Sequence, residues 1–321
     1  MDFIYYIIRN GLLRQLLNSG QERIEGIMKV IFIFIDGIGV GNQNPDTNPI
    51  FAARTQVLAR LMAEARFLAD ASLGVPGLPQ SATGQTAIFT GVNAPAVLNR
   101  HMSGQPTITL KRLIQKNNLF GELNKMGLSV TSANVYRDEY LNNMLDEKDR
   151  RNRPSVTSVM GMAQGIRFRT VREFMDNNGV YHDITGERLK ESGYEVNLIT
   201  PEAAAKNLYA LSRSYDFTLY EHFITDIAGH KFEMDKAVEV VEKLDRFLGE
   251  LLCRMEFEKD VLIITSDHGN LEDLSVRTHT MGKVPVIVKG AWADRVEMTV
   301  HSLVDIMPFI LELFRRGNKL Q

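Results

Sequence analysis

The chain predicts an α/β protein, a doubly wound and mostly parallel sheet with helices on both faces. Three observations predict it. Short apolar runs, Val30–Ile35, Val261–Thr265 and Val284–Val288, lack in-out alternation and read as strands buried on both sides. Segments with helical spacing separate them, as crossovers between parallel strands require. Two of the runs stop abruptly at an acid, Asp36 and Asp267, and open sheets of this kind place ligand chemistry just beyond the carboxyl ends of their strands.

Taken in order, residues 1–27 stand apart. Phe3–Ile8 is apolar but too short for a secretory core, follows an acid rather than basic residues, and lacks a small-residue cleavage site. The stretch reads as an extension, either upstream of the native start or a loose terminal helix. From Met28 onward a single domain is expected, running to residue 321. Val30–Ile35 is its first strand. Ile50–Met62 has apolar residues at helical spacing after Pro49, and Pro79–Gly91 turns helix-compatible from Gln85. Leu119–Met126 and Ser129–Val135 form a helix and strand around Gly127. Pro201 opens a helix through Tyr215, proline being favoured in a first turn. Phe217–Ile224 reads as a strand, Met234–Met255 as a long amphipathic helix and Leu303–Phe314 as the last helix. Two stretches fit the alternation poorly, 93–118 and 137–179, and are expected to be small lid insertions. The second holds the mixed-charge run Glu147–Arg153, expected to be a solvated surface.

Composition limits the partners. The 321 residues are 44% hydrophobic, enough for a sizeable core. A formal net charge of −2 argues against nucleic acid or an anionic membrane surface. No apolar stretch reaches the ~18 residues of a membrane span, and a cytoplasmic location is expected. The one cysteine, Cys253, excludes an intrachain disulfide and reads as a packed core thiol.

The chemistry gathers at the strand ends. Asp267-His268 follows one strand and Asp36-Gly37 another; either alone also fits an ordinary turn. Asp226 and His230, four apart, could share an ion if the backbone bends at Gly229. His279 sits just before the Val284 strand, where a surface-loop histidine is the plainer reading. Three carboxylates and three imidazoles at such places suffice for two divalent ions, zinc or manganese, with positions open to substrate. Ser81 opens a helix, so it is either an N-cap or a nucleophile placed where helix ends favour anions; Thr83 is the competing hydroxyl. Asp273 is close enough in sequence to support the Asp267-His268 pair. Arg100, Arg137 and Arg153 could grip a phosphate. His101 could touch substrate; His182, His222 and His301 have no ligand-like spacing.

The order of Asp36, the Ser81 segment, Asp226-x-x-x-His230, Asp267-His268 and His279 resembles the alkaline phosphatase superfamily of two-metal enzymes. Gln80–Gly91 matches that family's nucleophile segment without gaps, which places the nucleophile at Ser81. Asp36–Gly41 and Asp267–Asn270 look most like the branch holding cofactor-independent phosphoglycerate mutase and phosphopentomutase. The resemblance covers roughly 28–136 and 180–315. It implies that one ion takes Asp226, His230 and His279, and that the other takes Asp36, Asp267 and His268, with Ser81 reaching it. It implies a small phosphorylated substrate and a phosphoserine intermediate. The related mutases carry a large cap after the nucleophile segment, and both insertions here are short. A phosphorylated enzyme awaiting its returning substrate must be shielded from water. Phosphate-ester hydrolysis is therefore the first expectation, a phosphomutase the second, and a non-catalytic metal-binding protein the third.

Overall fold

In a computed structural model, which describes residues 28–54, 56–144 and 153–318, a six-stranded sheet lies between two layers of helices. The extension at 1–27 and nearly all of the charged run at 147–153 lie outside the described residues. The strands are β1 (Lys29–Ile35), β2 (Phe67–Ala69), β3 (Val130–Ser132), β4 (Phe217–His222), β5 (Asp260–Thr265) and β6 (Val284–Lys289), in the order β2-β6-β5-β1-β4-β3.

The four strands from β5 to β3 are mutually parallel. β6 runs antiparallel to β5, and β2, not anticipated from the sequence, antiparallel to β6. Pro285 lies outside the β5–β6 ladder, opposite Leu68 of β2, so its missing N–H costs that ladder nothing. The lack of alternation in β1 has a direct cause. Val30, Phe32 and Phe34 enter one core and Ile31, Ile33 and Ile35 the other. The first core is closed by helices Ser81–Thr90, Leu119–Lys125, Val156–Ala163 and Ile306–Asn318, the second by Pro201–Ser212 and Met234–Arg254.

Several elements differ from their sequence outlines. The helix expected at 50–62 is two pieces, Pro49–Ala52 and Val57–Ala63. Asp245 causes the restart: its carboxylate accepts from Val57 and Leu58 N–H at 3.2 and 2.7 Å, capping the second piece from another helix. Cys253 is exposed, not packed. The buried stripe of its helix runs through Val241, Leu244, Leu248 and Leu251, and a residue two beyond Leu251 points away from it.

The segments expected to form a lid contribute partly to the body. Leu110 and Ile114 of helix Ile108–Lys116 are buried, the latter in the first core with Val156, Val159 and Met160. A smaller separate cluster, Val135, Val171, Phe174, Tyr181, Leu189 and Val196, unites the chain between β3 and β4.

Candidate metal centre and nucleophile

β4, β1 and β5 are neighbours in register, with Ile35 beside His222 and Phe34 beside Thr265. Their carboxyl ends therefore finish at one level, and the residues that follow converge. Asp36, Asp267 and His268 form one group, and Asp226, His230 and His279 another, with the ligand atoms of each within 4.8 Å of one another. All six residues singled out in the sequence are thus brought together, in the two groups that the resemblance implied.

Asp226 and His230 meet by a different route from the one expected. The backbone does not bend at Gly229. Both residues lie on helix Ile224–Lys231, where a spacing of four stacks them on one face, His230 Nε2 to Asp226 Oδ2 at 3.4 Å. Gly229 serves packing instead, since a Cβ there would fall 2.7 Å from the Asn270 amide. That amide donates to Asp226 Oδ1 at 2.7 Å. His279 Nδ1 donates to the Pro79 carbonyl at 2.8 Å, which turns Nε2 toward His230 Nε2, 3.1 Å away, and Asp226 Oδ1, 3.5 Å away.

In the other group His268 Nε2 stands 3.3 Å from Asp36 Oδ1 and 3.7 Å from Asp267 Oδ2. The Gln85 amide donates to both carboxylates, at 3.3 and 3.2 Å, and fixes their spacing. Burial above all, then the charges of Asp267, Asp226 and Glu221, hold the Asp36 carboxyl well above its ordinary range. Burial and the Asp226 charge push Asp267 up to about 7. Burial and the neighbouring His279 bring His268 down to about 3, so its ring is neutral and ready to coordinate. Glu221, at the end of β4, is also buried; burial first and the charge of Asp267 raise it to about 7, while Thr157 donates to it at 2.8 Å.

The donor set fits divalent cations on the structure's own terms. Three acids crowd together, two imidazole nitrogens face each other at 3.1 Å, and the buried Asp36 Oδ1 has no hydrogen-bond partner. A cation resolves all three costs at once.

Ser81 is not a cap. Gln80 occupies the cap position, Ser81 is the first residue of helix Ser81–Thr90, and its Oγ lies 3.0 Å from His268 Nε2. Thr83 is fully buried, donates to the Gln80 carbonyl at 3.1 Å and accepts from Met102 N–H at 3.2 Å. Its hydroxyl is engaged in holding the helix start. Thr83→Ala should therefore cost about 1 kcal/mol of stability with turnover largely kept, as a denaturant midpoint beside a rate measurement would show.

Other expectations need correction. Asp273 does not support the metal groups; its carboxylate accepts from Ser275 N–H and Oγ at 3.0 and 2.6 Å. Gln85 and Asn270, which bond carboxylates of the two groups, and the buried Glu272 beside them are residues that sequence reasoning missed. Only their closeness in sequence to Ser81 and His268 signalled them. His101 bonds the Val75 carbonyl at 3.1 Å, and His182 stacks on Phe223 with ring centroids 4.3 Å apart. His222, set aside as structural or surface, is buried at the end of β4. Arg100, Arg137 and Arg153 are exposed, and among the described residues none hydrogen-bonds a member of either group.

Fold and site together define an alkaline-phosphatase-like α/β protein whose strand ends gather two groups of side chains that could each hold a metal ion. The sequence profile of the Metalloenzyme superfamily matches residues 28–316, and the chain belongs to that superfamily. Among curated relatives, a 2,3-bisphosphoglycerate-independent phosphoglycerate mutase of Roseobacter denitrificans is 27% identical over 50% of this chain and 37% of its own length. The enzyme of the same name from Wolinella succinogenes is 34% identical over 35% of this chain and 24% of its own. The chain thus spans about a quarter to a third of the length of these relatives. Among solved structures, the PH0037 protein from Pyrococcus horikoshii superposes with a TM-score of 0.55 at 17% identity, over 91% of this chain and 98% of that one. A cold-active alkaline phosphatase from Shewanella sp. gives 0.53 at 13% identity, over 88% and 99%. These likenesses establish the fold. Among the described residues no helix is long and apolar enough to cross a membrane.

Proposed function

We propose that the protein is a metal-dependent phosphoryl-transfer enzyme of the phosphomutase type, acting through Ser81 on a small phosphorylated metabolite. The observation that carries this reading is the position of the Ser81 hydroxyl, at the positive end of a ten-residue helix and 3.0 Å from His268, whose ring stacks on His279 of the other group with centroids 3.8 Å apart. Two divalent ions, zinc or manganese, held by Asp226, His230 and His279 and by Asp36, Asp267 and His268, would supply positive charge for phosphoryl oxygens and favour loss of the serine proton.

The chain's own residues account for the rest. Ser81 Oγ attacks phosphorus; the O–P bond to the substrate alcohol breaks as the serine ester forms, and the alcohol leaves. In a mutase another hydroxyl of the same molecule then takes the phosphoryl group back from Ser81. Gln85 and Asn270 keep the carboxylates in place throughout.

The mutase reading takes precedence over hydrolysis, the first expectation from sequence, for two reasons. The two curated relatives described above carry the mutase name. The shortness of the insertions also loses force, because the small cluster from Val135 to Val196 packs residues beyond 179 together with the second insertion, which makes that body larger than its sequence outline. Hydrolysis keeps one observation in its favour: the His230 side chain is 48% exposed, which lets water approach.

A panel of phosphorylated sugars and glycerates, assayed for isomers and for free phosphate, separates the two. Isomer formation with little free phosphate is expected. Stoichiometric phosphate release without isomerisation would replace this reading with the phosphatase.

A further inference from the structure

Glu272 is an acid with 2% exposure whose carboxylate is held by hydrogen-bond donors from three different loops. Oε2 accepts from Gly39 N–H at 2.9 Å and from Asn270 N–H at 2.7 Å, and Oε1 accepts from the Thr280 hydroxyl. Each donor is a short step from a ligand. Gly39 follows Asp36 by three residues and Asn270 follows His268 by two. Asn270 also clasps Asp226 through its side chain, and Thr280 adjoins His279. Gln85 ties two ligands of one group; Glu272 ties the loops of both.

The surrounding backbone is built around this carboxylate. A Cβ at Gly39 or at Gly269 would collide with Glu272 Oε1, so these positions admit only glycine at this approach. Gly269 further accepts from Thr280 N–H at 3.0 Å, which joins the β5 loop to the His279 loop beside the same carboxylate. Three hydrogen bonds converge on this buried carboxylate, and together they satisfy acceptors that burial would otherwise leave unpaired.

We propose that Glu272 is a positioning residue that sets the placement of the two metal-ligand groups relative to each other. It belongs to neither ligand group. It fixes where the β1, β5 and His279 loops stand, and so whether both groups present closed ligand sets at once. This rests on the metal-dependent reading given above.

The test is cobalt(II) titration of the metal-free protein, followed by visible absorption, for wild type, Glu272→Gln, Thr280→Val and Thr280→Ser. Glu272→Gln keeps the shape but loses the charge and turns one acceptor into a donor. Thr280→Val removes the hydroxyl, and Thr280→Ser keeps it. Glu272→Gln and Thr280→Val should bind cobalt about 10- to 100-fold more weakly, the range seen when supports behind metal ligands are lost. Their absorption bands should shift, while Thr280→Ser stays close to wild type. Metal-free melting temperatures should change little, which separates positioning from general stability. Should Glu272→Gln fail to fold, the two Thr280 variants carry the comparison. A wild type that takes two ions while Glu272→Gln and Thr280→Val titrate identically overturns the inference alone. A wild type that takes no cobalt overturns both this and the parent reading.

Discussion

Ser81→Ala is expected to abolish turnover, by about 10⁴-fold or more, while fold and metal content persist. The hydroxyl is the atom that would form the covalent bond, and no neighbouring hydroxyl can substitute. Thr83 is the nearest in sequence, but it is sealed in the core with both its hydrogen bonds made locally. Retention of fold is expected because Ser81 is only partly buried, caps nothing and contributes one contact, to His268. The check is a rate measurement alongside metal analysis and a melting curve. Full turnover in Ser81→Ala would place the nucleophile elsewhere.

Stripping the metals is expected to be equally severe and to leave a stability signature of defined sign. Chelation should bring turnover to background, with recovery on adding zinc or manganese. In the metal-free protein, Asp267 and Glu221 are raised to about 7 and Asp36 is raised well above its usual range, all chiefly by burial. Their unfolded counterparts ionise near pH 4, so from about pH 4 to 7 the folded state holds protons that the unfolded state has lost. Stability must therefore fall as pH rises through that window, by up to about 1.4 kcal/mol per pH unit for each proton retained. His268 and His222, brought to about 3 and about 4 mainly by burial, act oppositely but only below pH 6.5, where unfolded histidine gains its proton. Bound ions at a hundredfold excess over Kd would add about 2.7 kcal/mol each. Because they require the ionised carboxylates, their stabilisation should grow from pH 6.5 to 8. Melting curves with and without chelator from about pH 4 to 8 measure both effects. A chelated protein with full turnover would overturn the metal-dependent reading.

The local pattern was sufficient for much of this protein. A strand covered on both faces needs apolar residues at every position, so β1 and β5 announced themselves and their ends marked where chemistry could sit. The six acids and imidazoles were legible because their side-chain types suit divalent ions and fall at those ends, and the resemblance supplied their grouping and the role of Ser81.

What the sequence could not carry was anything decided by a distant partner. The break between Pro49–Ala52 and Val57–Ala63 depends on Asp245, almost two hundred residues away. The three-residue β2 has too few positions for a period and exists because β6 offers an edge. Asp226 and His230 pair through helix geometry, although the sequence after β4 read as a bend. Asp273 looked as suitable a support as Glu272, because adjacency along the chain does not reveal which carboxylate turns inward. Only the convergence of Gly39, Asn270 and Thr280 made Glu272 the one. Residue type and spacing marked the strands and the six candidate ligands, since these follow from short-range sterics and donor chemistry, and the resemblance pointed to Ser81. The residues that hold the ligand loops were set by long-range packing, because burial of a polar side chain is satisfied by whichever donors folding brings to it.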